Sequence, residues 1–232
     1  MANLPKVSCI LPTGYGDKFV ATAIECFFNQ SYEGDLELVV VDNNDEPIEE
    51  LAEVVFVKYV RSKRMSVGAL RNLGTQHASG EICITWDEDD WSHPDRVAAQ
   101  VSRLMASGKA VTGWHNILYW DGQQAFKYLY EPYGRNHPPY AMGTSQCYWK
   151  SWWEQHKFFE SGVEDIGFSN AALHAGQLDS TDAGQLCVAR IHGSNIVPKQ
   201  LVGKQWQPMS NDSLPKEFFY AIKSVEIGAT NE

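Results

Sequence analysis

The sequence predicts an α/β protein built on a doubly wound, mainly parallel sheet, with a mixed second half. Three observations predict it. Apolar, β-favouring runs alternate with helical patterns as far as about residue 107. The first, second and fourth of those runs are predominantly apolar, as expected of buried strands. And three of them end in polar residues, Thr13, Asp42 and the acidic stretch 87–90, where doubly wound sheets gather ligands outside the carboxyl ends of their strands.

Residues 7–11 read as a buried strand entering a tight Pro12-Thr13-Gly14-Tyr15-Gly16 loop. From 17 to 30, Phe19, Val20, Ala23, Ile24, Phe27 and Phe28 recur at helical spacing and form a broad apolar face. A second strand, 36–41, ends in Asp42-Asn43-Asn44-Asp45, and 54–60 supplies a third. Ser66 can cap a helix running to Ala78. The fourth strand leads into Trp86-Asp87-Glu88-Asp89-Asp90-Trp91, and Pro94 marks the start of a helix to about Ser107.

Beyond that point the pattern changes. Residues 111–120 and 125–130 flank Asp121-Gly122, a hairpin-turn signal. The Pro- and Tyr-rich stretch 131–140 reads as a loop, 145–153 as an aromatic strand and turn, and Glu164-Asp165 leads a helix to about Ala175. A further helix is expected over 214–225. The expected organisation is one domain over 1–200, with halves 1–108 and 109–200, and an extension over 201–232.

Composition narrows the class. The chain has 232 residues, 44% hydrophobic and 21% charged, as in an ordinary globular protein. Its net charge of -10 supplies no global field toward nucleic acid or an anionic membrane. The five cysteines are dispersed among apolar neighbours without a C-x-x-C pair, which predicts reduced core thiols. No apolar run approaches a membrane span, so a cytoplasmic protein is expected.

Residues 87–90 carry the first chemical signal. Four adjacent carboxylates repel one another unless a cation or solvent absorbs the charge. An oxygen-rich site of this kind suits Mg²⁺ or Mn²⁺, which keep waters and share coordination with substrate phosphates. The plain alternative is a solvated turn before a helix.

The order of short motifs then resembles a known family. Val7-Ser8-Cys9-Ile10-Leu11-Pro12-Thr13, Leu38-Val39-Val40-Val41-Asp42-Asn43-Asn44, Gly68-Ala69-Leu70-Arg71-Asn72, Gly80-Glu81, Asp87-Glu88-Asp89-Asp90 and Glu164-Asp165 are similar in order and spacing to the family-2 glycosyltransferases of GT-A fold. The resemblance runs from about Lys6 to Ile196. It implies an inverting, metal-dependent glycosyltransferase that moves a sugar from a nucleotide-diphospho-sugar, a UDP-sugar first among candidates, to a hydroxyl acceptor.

The resemblance also implies roles. Thr13 and Tyr15 lie where the first loop meets the nucleotide, and Asp42 and Asn43 where the base is held. Asn43 departs from the second acidic residue common in the family, which leaves the base open. Arg71 falls near the diphosphate. Asp87 and Glu88 belong to the donor-side D-x-D stretch, with Asp89 as the direct metal ligand, Asp87 as a ribose or metal-water contact, and His192 as a further ligand or phosphate contact. Asp165 matches the catalytic base, and Glu164 would orient it or hold a sugar hydroxyl. A helix cap is the plain alternative for either. Trp91, Trp152 and Trp153 are the tryptophans best placed to stack on a sugar. Met142-Gly143-Thr144-Ser145 resembles the small-residue segment that admits the acceptor, and the 131–140 loop is placed to close over it.

Two other readings compete. A nucleotidyltransferase would share the sheet and the paired carboxylates, but it calls for a Gly-rich, Lys-bearing phosphate loop, and residues 12–18 do not offer a convincing one. A non-catalytic nucleotide-sugar-binding module would need no Asp165. The acceptor stays open among a soluble saccharide, a protein side chain, a small metabolite and a modified nucleobase. A homo-oligomer is among the expected forms.

Overall fold

The computed structural model describes residues 4–14, 19–129, 140–160, 163–195, 199, 201 and 203–228. Seven strands form the main sheet: β1 (Val7–Thr13), β2 (Leu36–Asp42), β3 (Val57–Arg61), β4 (Ile82–Thr85), β6 (Val111–Asn116), β9 (Cys147–Trp149) and β10 (Leu178–Asp182). Their order is β10-β6-β9-β4-β1-β2-β3. β4, β1, β2 and β3 run parallel, β9 runs antiparallel to both β4 and β6, and β10 pairs parallel with β6. The chain turns one way from β1 to β2 and returns on the other side as β4, so a topological switch point falls between β1 and β4.

Apolar side chains alternate across this sheet. Cys9, Leu11, Leu38, Val40, Ile82 and Ile84 pack on one side with α1 (Val20–Phe28), α3 (Arg96–Ser107) and Phe218 of α6 (Lys216–Gly228). Ile10, Val39, Val41 and Cys83 pack on the other with Leu70 of α2 (Val67–His77), Trp153 of α4 (Lys150–Gln155) and Phe168 and Ala172 of α5 (Glu164–His174). Both faces of the central strands are therefore covered, which explains why those strands read as predominantly apolar runs. All five cysteines are buried and free.

A second sheet, absent from the sequence expectation, is built from β5 (Trp91–Ser92), β7 (Leu118–Trp120), β8 (Ala125–Tyr128), β11 (Cys187–Arg190) and β12 (Trp206–Met209), in the order β12-β8-β7-β11-β5. It is what positions the acidic stretch. That stretch leaves β4 in the first sheet and re-enters as β5 in the second, where Trp91 pairs with Val188 of β11. The span 111–120, expected as one strand, divides at Ile117: Asn116 aligns with Asp182 in the main sheet, whereas Leu118 aligns with Val188 in the second. The expected hairpin survives as β7 against β8.

Other boundaries shift for local reasons. β3 starts at Val57, after a 3₁₀ turn over Glu49–Glu53, and α3 starts at Arg96. The stretch 145–153 becomes β9 followed by a helix, α4. The 131–140 loop lies outside the described residues apart from Tyr140. Among the described residues no helix is long and apolar enough to cross a membrane.

Candidate active site

The end of β1, α2, the acidic stretch, the turn at Gly143–Ser145, the start of α5 and the end of β11 converge on one cleft; Asp42 and Asn43, at the end of β2, are not among its walls. Its volume is about 400 Å³. Pro12, Arg71, Asp87, Glu88, Asp89, Asp90, Gly143, Glu164, Asp165, Arg190, His192 and Asn195 are among its walls.

The first two strand ends act as braces. Thr13 is fully buried, and its hydroxyl donates to Glu88 Oε2 at 2.6 Å. Asp42 is also fully buried. Its carboxylate accepts from the Asn44 and Ile48 backbone amides, the Asn44 side chain, the Tyr59 hydroxyl and Arg61 Nη1. Burial would raise its pKa, and these hydrogen bonds outweigh burial and hold it below the ordinary carboxylate value. Five donors exhaust a carboxylate's accepting capacity, so Asp42 shapes the loop instead of offering an oxygen to a ligand. Asn43 differs: its Oδ1 is buried without a hydrogen-bond partner.

Ser66 caps α2 by accepting from the Ala69 amide, as its position predicts. The helix delivers Arg71, 3% exposed, between two carboxylates: Nη2 donates to Asp87 Oδ1 at 2.8 Å and Nη1 to Glu164 Oε1 at 3.0 Å. Burial would lower the Arg71 pKa, but Asp87, Glu164 and Asp165 outweigh it and raise it. Glu164 is raised chiefly by burial, against the pull of Arg71. Arg71 therefore joins the D-x-D stretch to the start of α5, and two of its donor groups are already spent on the protein.

Asp89 faces the end of β11. Its Oδ2 lies 3.0 Å from His192 Nε2 and 3.0 Å from Asn195 Nδ2. His192 is oriented by Ser194 through Nδ1 and by the Phe19 ring, whose centroid is 4.6 Å away. Asp90 is buried, accepts the Arg190 backbone amide at 3.3 Å, and is raised well above the usual carboxylate range by burial and then by Asp89 and Asp87. Among the described residues no group of three or more His, Cys, Asp or Glu is arranged to hold a metal. One carboxylate oxygen and one imidazole nitrogen nonetheless converge, and Mg²⁺ or Mn²⁺ commonly completes such a pair with waters and substrate phosphate oxygens. The donor set fits such an ion.

Asp165 opens α5, where the helix dipole favours an anion. Its Oδ1 accepts the Ile166 amide at 2.8 Å. Oδ2 lies against Gly143, where an added Cβ would come within 2.9 Å of it. A second close approach anchors the helix pair: a Cβ on Gly68 would meet the Phe159 carbonyl at 1.9 Å and Glu164 Cβ at 2.9 Å.

The tryptophan expectations need correction. Trp91 is 3% exposed and packs in the core with Phe218, because β5 directs it inward. Trp153 is buried on α4 with its Nε1 donating to Asn72, and Trp152 stacks on His156. None of the three lines the cleft. Tyr15 lies outside the described residues. The sequence reading missed Phe19, Tyr119, Arg190 and Asn195 as cleft residues. Arg190 had a usable signal, since it stands at a strand end two residues before His192.

Comparison with known proteins gives the family and the fold. The profile described as Glycosyl transferase family 2 matches residues 8–159, and the chain belongs to that family. An uncharacterized glycosyltransferase of Haemophilus influenzae is 25% identical over 121 residues, covering 47% of this chain and 46% of the relative. The chain spans less than half the length of the curated relatives it matches. Staphylococcus aureus TarS 1–349, solved in complex with UDP-GlcNAc, superposes with a TM-score of 0.66 at 16% identity over 97% of this chain and 67% of TarS. The mannosyltransferase PcManGT of Pyrobaculum calidifontis, solved with GDP-Man and Mn²⁺, gives 0.63 at 17% identity over 86% and 59%. At these identities the likeness to solved structures shows the fold, which is GT-A.

Proposed function

We propose that this protein moves a sugar from a nucleotide-diphospho-sugar to a hydroxyl acceptor by a single inverting displacement. The observation that carries the reading is that Asp89 and Asp165 line the same cleft. Asp89 and His192 would hold Mn²⁺ or Mg²⁺, which when bound supplies Lewis-acid neutralisation of the departing diphosphate. Glu88, tied to Thr13, and Asp87, tied to Arg71, hold the donor-side stretch in place. The nucleotide base would meet the loop that Asp42 shapes, with Asn43 Oδ1 as the polar atom without a partner there.

Asp165 takes the acceptor's proton. With Oδ1 engaged by the Ile166 amide, Oδ2 is the oxygen left to accept it. Attack by that hydroxyl on the anomeric carbon from the face opposite the diphosphate inverts the configuration. Gly143 leaves room beside Oδ2, and Arg71, bonded to Glu164, keeps the start of α5 in register with the donor-side loop.

Incubation with Mn²⁺ and a panel of UDP-, GDP- and dTDP-sugars tests the reading. Release of nucleoside diphosphate from at least one donor is expected, and NMR of the transfer product should show an inverted anomeric centre. Pyrophosphate release from a nucleoside triphosphate and a sugar phosphate would favour a nucleotidyltransferase. Retained configuration would mean that Asp165 is not the base of a single displacement.

A further inference from the structure

Among the described residues three arginines are buried, Arg71 and Arg190 at the cleft and Arg96 away from its walls, and they differ in what they bond. Arg71 is held by Asp87 and Glu164 through both terminal nitrogens, and only its Nε is buried without a partner. Arg96, fully buried, donates to Gln100, Ser92 and the Thr85 and Thr144 carbonyls and stacks between Trp86 and Trp114. Arg190 is 9% exposed, and its Nε and Nη2 are buried with no hydrogen-bond partner. Among the described residues no carboxylate lies within 4.0 Å of its guanidinium.

A buried guanidinium left unpaired is unfavourable because it loses its hydration without replacing it. What it does meet is an aromatic face: Cζ lies 5.0 Å from the centroid of Phe19. The same ring packs against His192, and the Arg190 amide is fixed by Asp90. The group is therefore held in place, lines the cleft beside the Asp89–His192 pair, and has unused donors. A forked cation in that condition suits an oxyanion brought from outside the chain.

We propose that Arg190 hydrogen-bonds the donor's diphosphate, in the part that the family resemblance implies for Arg71. The inference rests on the nucleotide-sugar reading above. Arg71, spent on two carboxylates, is a positioning residue that couples the D-x-D stretch to α5. Arg190 carries negative charge on the leaving nucleoside diphosphate, next to the cation-binding pair, and the Phe19 ring keeps its guanidinium aimed.

The test compares wild type with Arg190→Met and Arg190→Lys by calorimetric titration with UDP and GDP, each in EDTA and in Mn²⁺. Uridine and guanosine are titrated by ligand-observed NMR, and thermal melting is followed in parallel. Arg190→Met should weaken nucleoside diphosphate binding by about tenfold or more in both media, as loss of a charge-assisted hydrogen bond does. Nucleoside affinity should stay within about twofold, because no phosphate is involved. The melting temperature should hold or rise, since an unpaired buried charge is being replaced by an apolar side chain. Arg190→Lys should recover part of the loss.

Unchanged diphosphate affinity in Arg190→Met overturns the proposal and leaves the transferase reading standing. A parallel loss of nucleoside binding and melting temperature overturns it in favour of a structural role. Failure of wild type to bind either diphosphate removes the nucleotide-sugar reading and this proposal with it.

Discussion

Asp89 presents a single oxygen, Oδ2, to both His192 and Asn195. If that oxygen holds the cation, Asp89→Ala should bind nucleoside diphosphate equally with and without Mn²⁺, whereas wild type binds more tightly with it. A calorimetric comparison checks this, and a persistent Mn²⁺ enhancement in the variant would place the cation elsewhere. Gly143 gives a second prediction at the same scale. An alanine there sets a methyl 2.9 Å from Asp165 Oδ2 and 3.2 Å from Arg71 Nη1, so the base must move. Displacements of this order typically cost about a hundredfold in rate. Gly143→Ala should therefore lower kcat by about one to two orders of magnitude while donor affinity changes little. An unchanged kcat would show that the Asp165 position is not limiting.

Among the elements, α2 stands apart because its cap and its packing were each readable. Ser66→Ala removes the acceptor for the Ala69 amide and should destabilise the protein by about 1 kcal/mol in denaturant titration. The parallel strands and their helices were legible because burial on both faces leaves long apolar runs and 3.6-residue periodicity. The second sheet was not, since β5 has two residues, β7 has three, and their partners lie far along the chain. The tryptophans failed for a related reason. Trp91 follows the acidic stretch in sequence, but which way a side chain faces at a strand start depends on the sheet it joins, and the sheet was invisible. Arg71 was legible as a cleft residue, and its double attachment to Asp87 and Glu164 was not, because Glu164 is 93 residues away.

For the whole molecule, acid stability should follow the buried carboxylates that the fold holds in ionised form. Asp42 is the clearest, with a pKa lowered by hydrogen bonds from Tyr59, Asn44, Ile48 and Arg61 that outweigh burial. Glu37, bonded by Ser8 and Ser79 against its own burial, is lowered as well. Because the folded pKa lies below the unfolded value, this stabilisation is present above about pH 4 and is lost as pH falls through the folded pKa. Asp42→Asn should melt lower than wild type at pH 7, with a difference of about 1–3 kcal/mol, and the gap should narrow toward about pH 3. A gap independent of pH would mean that shape, not charge, is what Asp42 contributes. The motif order from β1 to α5 made the cleft's composition readable at this scale, because the switch point brings distant strand ends together whatever the loops do.

The proposed sugar transfer requires a cation-holding side at Asp89 and a proton-accepting side at Asp165 working across one cleft. The most direct test is Asp165→Asn, assayed for sugar transfer and for nucleoside diphosphate binding in the same preparation. Transfer should fall by about a hundredfold to ten-thousandfold, the contribution expected of a general base, with binding within about twofold of wild type. Transfer at the wild-type rate, or transfer and binding lost in equal measure, would contradict it.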